Sequence, residues 1–316
     1  MKLSFLGTPA AAVPALASLL EAGHDVRLVI TQPDRPAGRS GRAVPPAVKS
    51  HALEHGLAVE QPVKVRTQEF QDRIAREAPD ALVVVAYGRI LPKNVLSIAR
   101  LGAVNLHFSL LPKGRGAAPV QWTLARGEET TGVTTMQIDE KLDEGDILLQ
   151  RELAIEPGEH TPQLQDRLAR LGAALLVDTL ARLERGDLAP RPQDHAKATY
   201  APPLRKEDGH ADFGWPAREV EGRVRGFDPW PGVWARGGER RMRIVRARAD
   251  QSTTPSPPGS VLDLDRDDLR VACGGGTVLR VASIQLEGRR PVTAREAVQG
   301  RLLAPGDRLE GPAVGA

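Results

Sequence analysis

The sequence predicts an α/β fold in its first half and a small all-β domain after it. Three observations carry this. Short apolar runs alternate with helical patterns from Leu3 to about Ile138, the mark of an open sheet with helices on both faces. Ala81–Val85 (ALVVV) is an unbroken apolar run, as in strands of a parallel sheet buried on both sides. From Val233 onward, short β-like runs recur between turn residues, the pattern of a barrel.

Taken in order, Leu3–Leu6 is a strand stopped by Gly7 and Pro9, and Val13–Glu21 a helix stopped by Gly23. Val26–Ile30 is the second strand, closed by Gln32-Pro33-Asp34. A loop rich in Arg, Gly and Pro fills 34–46. Helical patterns cover Ala47–His55 and Thr67–Glu77. Ala81–Val85, Ala103–His107 and Thr131–Ile138 are further strands. This reads as a Rossmann-like, mostly parallel sheet. Thr161-Pro162 opens a long helix, with Leu164, Leu168, Leu171, Leu175 and Leu183 on one face, running to about Arg185. Gly186–Pro203 holds four prolines and no periodicity, and reads as a linker. The expected division is 1–188, a linker at 189–203, and a β-barrel domain at 204–316. The barrel strands are expected at Val233–Ala235, Met242–Arg248, Gly259–Leu264, Leu269–Ala272, Val278–Ala282 and Ile284–Leu286.

Composition excludes several classes. At 316 residues the chain can bury a full core without staples. One cysteine, Cys273, is incompatible with a disulfide framework or a thiolate zinc site and fits a reducing cytoplasm. No run reaches the ~18 apolar residues of a membrane span, and the first apolar run is too short for a signal peptide. Gly7-Thr8-Pro9 does not complete a dinucleotide fingerprint, and Lys113–Pro119 lacks the ending of a P-loop. His51 and His55 are four apart without the glutamate of a zinc helix, so no metal is expected. The basic residues are 35 Arg and 8 Lys, and Asn occurs only at 94 and 105. The net charge of +3 lies wholly in residues 204–316, with 19 basic and 16 acidic residues, a weak pointer to a polyanion there.

Ligands of open parallel sheets bind beyond the carboxyl ends of the strands. There the chain reads Asn105-Leu106-His107-Phe108-Ser109-Leu110-Leu111-Pro112. Asn105 and His107 share one strand face, so an amide and an imidazole could both donate to one carbonyl oxygen, as in an oxyanion site. Alone, the pair also fits a turn-forming Asn and a core His. A second cluster, Leu142-Asp143-Glu144-Gly145-Asp146, follows another strand. Beside His107, Asp143 could hold the imidazole protonated or accept a proton; alone, it fits a solvated turn.

Three motifs in order, NLHFSLLP at 105–112, GRGAAPVQ at 114–121 and LDEGD at 142–146, resemble the signature of folate-dependent formyltransferases. TQPDRPAG at 31–38, AYGRILP at 86–92, FDPWP at 227–231 and PGDRL at 305–309 resemble the branch of that family acting on methionyl-tRNA. Phe108 departs from the pattern, where a small residue is usual. The resemblance implies formyl transfer from 10-formyltetrahydrofolate to the α-amine of methionine on initiator tRNA, without metal. It implies an OB-like C-terminal barrel that helps hold tRNA; the chain is also expected to be cytoplasmic and a monomer. By the family pattern, Asn105 and protonated His107 donate to the developing oxyanion and Asp143 keeps His107 charged. Ser109, Leu110, Leu111 and Pro112 line the folate site, and Tyr87–Pro92 the pterin pocket. Arg39 and Arg42 of the 34–46 loop are expected on tRNA.

Arg236–Arg248 holds six arginines against Glu239. Arg241 and Arg243 share a strand face opposite Met242 and Ile244, whereas Arg246 and Arg248 take the Met/Ile parity. A strand cannot keep one buried face through that switch, so a bulge or strand end is expected near Val245. Arg241 and Arg243 are the candidate tRNA contacts here; a charged barrel edge defended against strand pairing is the alternative. Formyl transfer to a nucleotide sugar or a ribonucleotide, and a non-catalytic RNA-binding chain, are the rival functions.

Overall fold

The computed structural model describes residues 1–36 and 43–311. They form two compact units: Met1–Pro119, Thr130–Ala154 and Gln165–Pro202 make the first; Val120–Glu129, Ile155–Leu164 and the chain from Pro203 make the second.

The first unit is built on a seven-stranded sheet. Its strands are β1 (Lys2–Gly7), β2 (Asp25–Ile30), β3 (Val59–Glu60), β4 (Ala81–Val85), β5 (Ala103–His107), β6 (Thr130–Gln137) and β7 (Ile147–Ala154). The spatial order is β3-β2-β1-β4-β5-β6-β7. Pairings from β3 to β5 are parallel, and β6 and β7 are antiparallel additions. The expected mostly parallel sheet is therefore present, with β7 an element that sequence reading missed. Its apolar residues are diluted by Gln150, Arg151 and Glu152, because half of this edge strand faces solvent.

Helices lie on both faces. The helices are α1 (Val13–Glu21), α2 (Ala47–Glu54), α3 (Gln68–Ala75), α4 (Lys93–Leu96) and, from Gln165 on, α6 (Thr161–Arg185), whereas α5 (Pro119–Ala125) falls almost wholly in the second unit. Leu6, Ile30, Leu82 and Val84 pack against Phe70 and Ile74 of α3 and Val95 and Leu96 of α4. Leu106, of opposite parity, meets Gly172 of α6, where a Cβ would come within 2.8 Å of both Leu106 methyls. Thr67 caps α3 by accepting from Phe70 N at 3.3 Å.

The second unit centres on an antiparallel sheet with strands β8 (Val233–Gly237), β9 (Arg240–Thr253), β10 (Val261–Asp265), β11 (Asp268–Ala272), β12 (Thr277–Leu286) and β13 (Leu309–Glu310), in the order β10-β11-β12-β9-β8-β13. The bridge Ser260↔Arg308 and the bond from Leu309 N to Gly259 O join its two ends, closing the expected barrel. The two runs expected at 278–282 and 284–286 are one strand, because Ser283 is still paired, with Arg246 on one side and Thr293 on the other. The strand β9 shifts register between Ile244 and Arg246, which is the expected bulge at Val245. Beyond it Ala247 and Ala249, not the arginines, turn toward the core.

Helix α7 (Ala217–Gly226) was not anticipated. Its buried residues Ala217, Val220 and Val224 repeat at helical spacing, but four charged residues between them mask the pattern. Gly222 and Gly226 let it approach α5: a Cβ on Gly222 would lie 2.7 Å from Leu124 O, and one on Gly226 2.4 Å from Gln121 O. Trp122 then meets Phe227 edge to face at 5.4 Å.

The arginines of this unit largely serve the barrel. Arg280 bonds to Asp250, Asp265 and Asp268 at 2.8–3.1 Å, which raises its already high proton affinity. Arg270 pairs with Asp263, and Arg295 with Asp267. His160 Nδ1 and Arg243 both hold Asp228, keeping its carboxyl below the usual range, chiefly through the His160 hydrogen bond. Replacing Asp228 by alanine leaves two mostly buried donors without their acceptor and is expected to cost about 2–3 kcal/mol. A depressed carboxyl stabilises the fold above its unfolded value and stops doing so as pH falls through the folded one. The stability gap between wild type and Asp228→Ala, read from denaturant unfolding, should thus hold at neutral pH and shrink below about pH 4. A gap that is small at neutral pH, or that grows with acid, would contradict this.

Candidate active site

The site lies at the carboxyl end of β5, where His107 pairs with Thr134 of the antiparallel β6. Asn105 sits on the same face as Val84, its register partner. Its side chain is partly accessible, and no described residue hydrogen-bonds it. A carboxamide held by a strand with its donors free suits an incoming anion. His107 closes the strand with its side chain 8% exposed. Its Nε2 lies 2.9 Å from Gly114 O. A carbonyl can only accept, so Nε2 carries a proton and Nδ1 is the nitrogen left for chemistry. Nδ1 is 3.9 Å from Asp143 Oδ1. The structure thus brings Asp143 to His107, as the separate motifs required.

Asp143 is held in a demanding conformation. Its φ is +53°, a left-handed setting that costs a non-glycine residue about 1 kcal/mol or more. Its Oδ2 accepts from Gly116 N at 2.8 Å. Gly116 has φ +116°, and a Cβ there would meet Ala201 O at 2.6 Å. The Gly-rich loop at 114–116 is therefore shaped to hand one N–H to Asp143 and one carbonyl to His107.

Ser109–Pro112 run beside Thr134, in the middle of β6. Ser109 Oγ donates to Lys113 O at 2.6 Å, Thr134 Oγ1 donates to Ser109 O at 2.7 Å, and Leu111 N donates to Thr134 Oγ1 at 3.1 Å. Gln150 Nε2 donates to Leu111 O at 2.8 Å. Leu111 packs with Met136 and Ile147, while Leu110 and Pro112 are half-buried. The Leu111–Pro112 bond is cis.

A separate cavity of about 430 Å³ opens where β1, β2 and β4 end. It is lined by Thr8 and Pro9, Gln32 and Pro33, and Ala86, Tyr87 and Gly88 among others. The strand order reverses between β1 and β4, so this is the crevice such sheets offer to ligands. Gln32 Nε2 donates to Tyr87 O at 3.1 Å and spans it. The Tyr87 hydroxyl is buried without a described partner, and burial pushes its pKa up to about 12. It stays a neutral donor at physiological pH.

Of the candidate tRNA contacts, Arg39 and Arg42 lie outside the described residues. Arg241 stacks on Trp234 at 4.5 Å and faces Glu287 at 3.4 Å, with its side chain 31% exposed. Arg243 is 16% exposed and engaged with Asp228. Among the described residues, no group of three His, Cys, Asp or Glu is placed to hold a metal ion, and no helix is long and apolar enough to cross a membrane.

Sequence reading missed the second half of the site. The segment read as a linker is hydrogen-bonded along its length to the first unit. Ile147 and Arg191 exchange both backbone bonds, at 2.8 and 2.9 Å. Thr199 O accepts from Arg115 N, and Ala201 N donates to Arg115 O. Arg115 is 1% exposed and Gln193 6%. A lone polar residue among prolines gives no periodic signal; only the loop glycines hinted that another backbone passes closely.

Comparison with known proteins agrees with this geometry. The formyl transferase family model matches residues 1–180, and its C-terminal domain model matches 203–302. The methionyl-tRNA formyltransferase of Acidobacterium capsulatum is 50% identical over 310 residues, covering 98% of this chain and 99% of that protein. That of Koribacter versatilis is 49% identical over 311 residues, covering 98% of each. Among solved structures, an N-formyltransferase from Helicobacter canadensis, in complex with folinic acid and dTDP-3-aminofucose, superposes with TM-score 0.64 at 16% identity, over 89% of this chain and 98% of that one. HypX from Aquifex aeolicus, in complex with tetrahydrofolic acid, gives 0.64 at 17%, over 96% of this chain, which spans about half (48%) of HypX. These two likenesses are of fold. The family models and the close relatives show more: the chain belongs to the formyl transferase family, and within it to the methionyl-tRNA formyltransferases.

Proposed function

We propose that this protein transfers the formyl group of 10-formyltetrahydrofolate to the α-amino group of methionyl initiator tRNA, acting as a cytoplasmic monomer without a metal. The observation that carries the reading is the free Asn105 amide beside a His107 whose reactive nitrogen faces Asp143. In the reaction the amine attacks the formyl carbon and its carbonyl oxygen becomes an oxyanion. Asn105 and the Nδ1–H of protonated His107 donate to that oxygen, and Asp143 stabilises the imidazolium. The tetrahedral centre then collapses: the bond from carbon to folate N10 breaks, the new amide remains, and the amine's proton replaces the formyl group on N10. Ser109–Pro112 hold the folate.

The test offers 10-formyltetrahydrofolate with charged initiator tRNA, charged elongator tRNA or a nucleotide-linked amino sugar. Formylation of the initiator alone is expected; preference for the amino sugar would overturn the reading. On the tRNA side, Arg241 is the better phosphate candidate of the two arginines. Neutralising it should weaken all tRNAs alike and flatten the salt dependence of binding by ~0.7–0.9. An unchanged slope would leave Arg241 as a partner of Trp234 and Glu287 only. Arg243→Gln should instead act on stability, through Asp228.

A further inference from the structure

Gln193 makes four hydrogen bonds and has none to spare. Its Oε1 accepts from Arg115 Nε at 3.1 Å and Nη2 at 2.8 Å. Its Nε2 donates to Asp143 O at 2.9 Å and Gly145 O at 2.7 Å. That is the full capacity of a carboxamide. The residue between those two carbonyls is also held, since Glu144 pairs with Arg115 Nη1 at 3.4 Å. Arg115 Nη2 further contacts His195 Nδ1 at 3.0 Å. One buried amide and one buried guanidinium thus grip three consecutive residues of the loop that carries Asp143, and none of these bonds involves the Asp143 carboxylate.

The grip explains how Asp143 keeps φ +53°. Released, a non-glycine residue relaxes out of the left-handed region, and the carboxylate would swing away from His107. Arg115 is itself anchored through its backbone to Thr199 and Ala201, on the same strand of chain that delivers Gln193 and His195. The geometry points to Gln193 as a positioning residue for formyl transfer: it holds the Asp143 backbone so that the carboxylate faces His107, and Arg115 orients Gln193. This rests on the function proposed above and adds to it a residue that acts through the Asp143 backbone.

Two variants separate this from a purely structural role. Gln193→Ala removes all four bonds. Gln193→Glu keeps the acceptors for Arg115, and adds charge to that pair, but turns both donated bonds into repulsion of carbonyls. If Gln193 served only to satisfy buried Arg115, the glutamate would rescue it. We expect no rescue: both variants should lose at least 30-fold in kcat, with KM for methionyl-tRNA and for 10-formyltetrahydrofolate within three-fold of wild type. In an Asp143→Asn background, whose residual rate is low, Gln193→Glu should cost less than three-fold more, because both act on one group. A Gln193→Glu protein with more than half of wild-type kcat, losses that multiply in the double variant, or a Gln193→Glu protein that does not fold would each overturn the assignment. Wild-type protein that formylates no methionyl-tRNA would overturn the functional reading and this inference with it. Normal wild-type turnover with an unimpaired Gln193→Glu variant overturns the inference alone.

Discussion

Replacing Asn105, His107 or Asp143 is expected to lower turnover by at least ~10², while tRNA affinity stays within a few-fold of wild type. Each removes a different part of one charge-stabilising device. Asn105→Ala deletes the free amide donor; loss of such a donor raises a barrier by ~3–4 kcal/mol in comparable sites. His107→Ala removes the second donor and also the bond to Gly114 O, so some disorder of the 114–116 loop should accompany it. Asp143→Asn is the cleanest of the three: it preserves an oxygen for Gly116 N but removes the charge facing His107. Steady-state kinetics with charged initiator tRNA, paired with a binding titration, checks all three. Near-normal kcat for any one would remove that residue from the mechanism.

Gly145→Ala should be severely damaging although it leaves every polar group of the site in the sequence. A Cβ at this position would stand 1.9 Å from Gln137 O and 3.0 Å from its carbonyl carbon. Both belong to the end of β6, and Gln137 N is also bonded to Asp146 O at 2.9 Å. Backbone cannot yield as a flexible side chain does, so the loop from Asp143 to Asp146 has to lift. The overpacking is expected to cost about 3 kcal/mol and to break the bond from Gln193 to Gly145 O. Loss of turnover comparable to that of Asp143→Asn should accompany it. Chemical denaturation and kcat measured on one preparation test both halves; an alanine variant with native stability and full turnover would show that the turn accommodates a side chain.

What was legible in the sequence follows from how local each feature is. The strands β1, β2, β4 and β5 are buried apolar runs, visible without context. The bulge at Val245 was visible too, because side-chain parity along one strand is a local property. Strand β7 and helix α7 were hidden by solvent-facing charge. Asn105, His107 and Asp143 could be named as candidates, yet only the fold places Asp143 beside His107, since 36 residues separate them. Gln193 left no trace, because its role depends on two carbonyls some fifty residues away. Arg243 shows what a basic strand cannot reveal by itself: its partner Asp228 comes from the turn before β8, outside the strand's own pattern.

The central claim is that the formyl group passes directly from folate nitrogen to the methionyl amine at the Asn105–His107–Asp143 site. A single-turnover experiment with isotopically labelled 10-formyltetrahydrofolate and excess enzyme, quenched at successive times, tests it most directly. The account predicts that label leaves the folate and appears on methionyl-tRNA with one rate constant, never on the protein, and that Asn105→Ala slows both events equally. Label trapped on the protein, or released as formate in place of formylated tRNA, would contradict it.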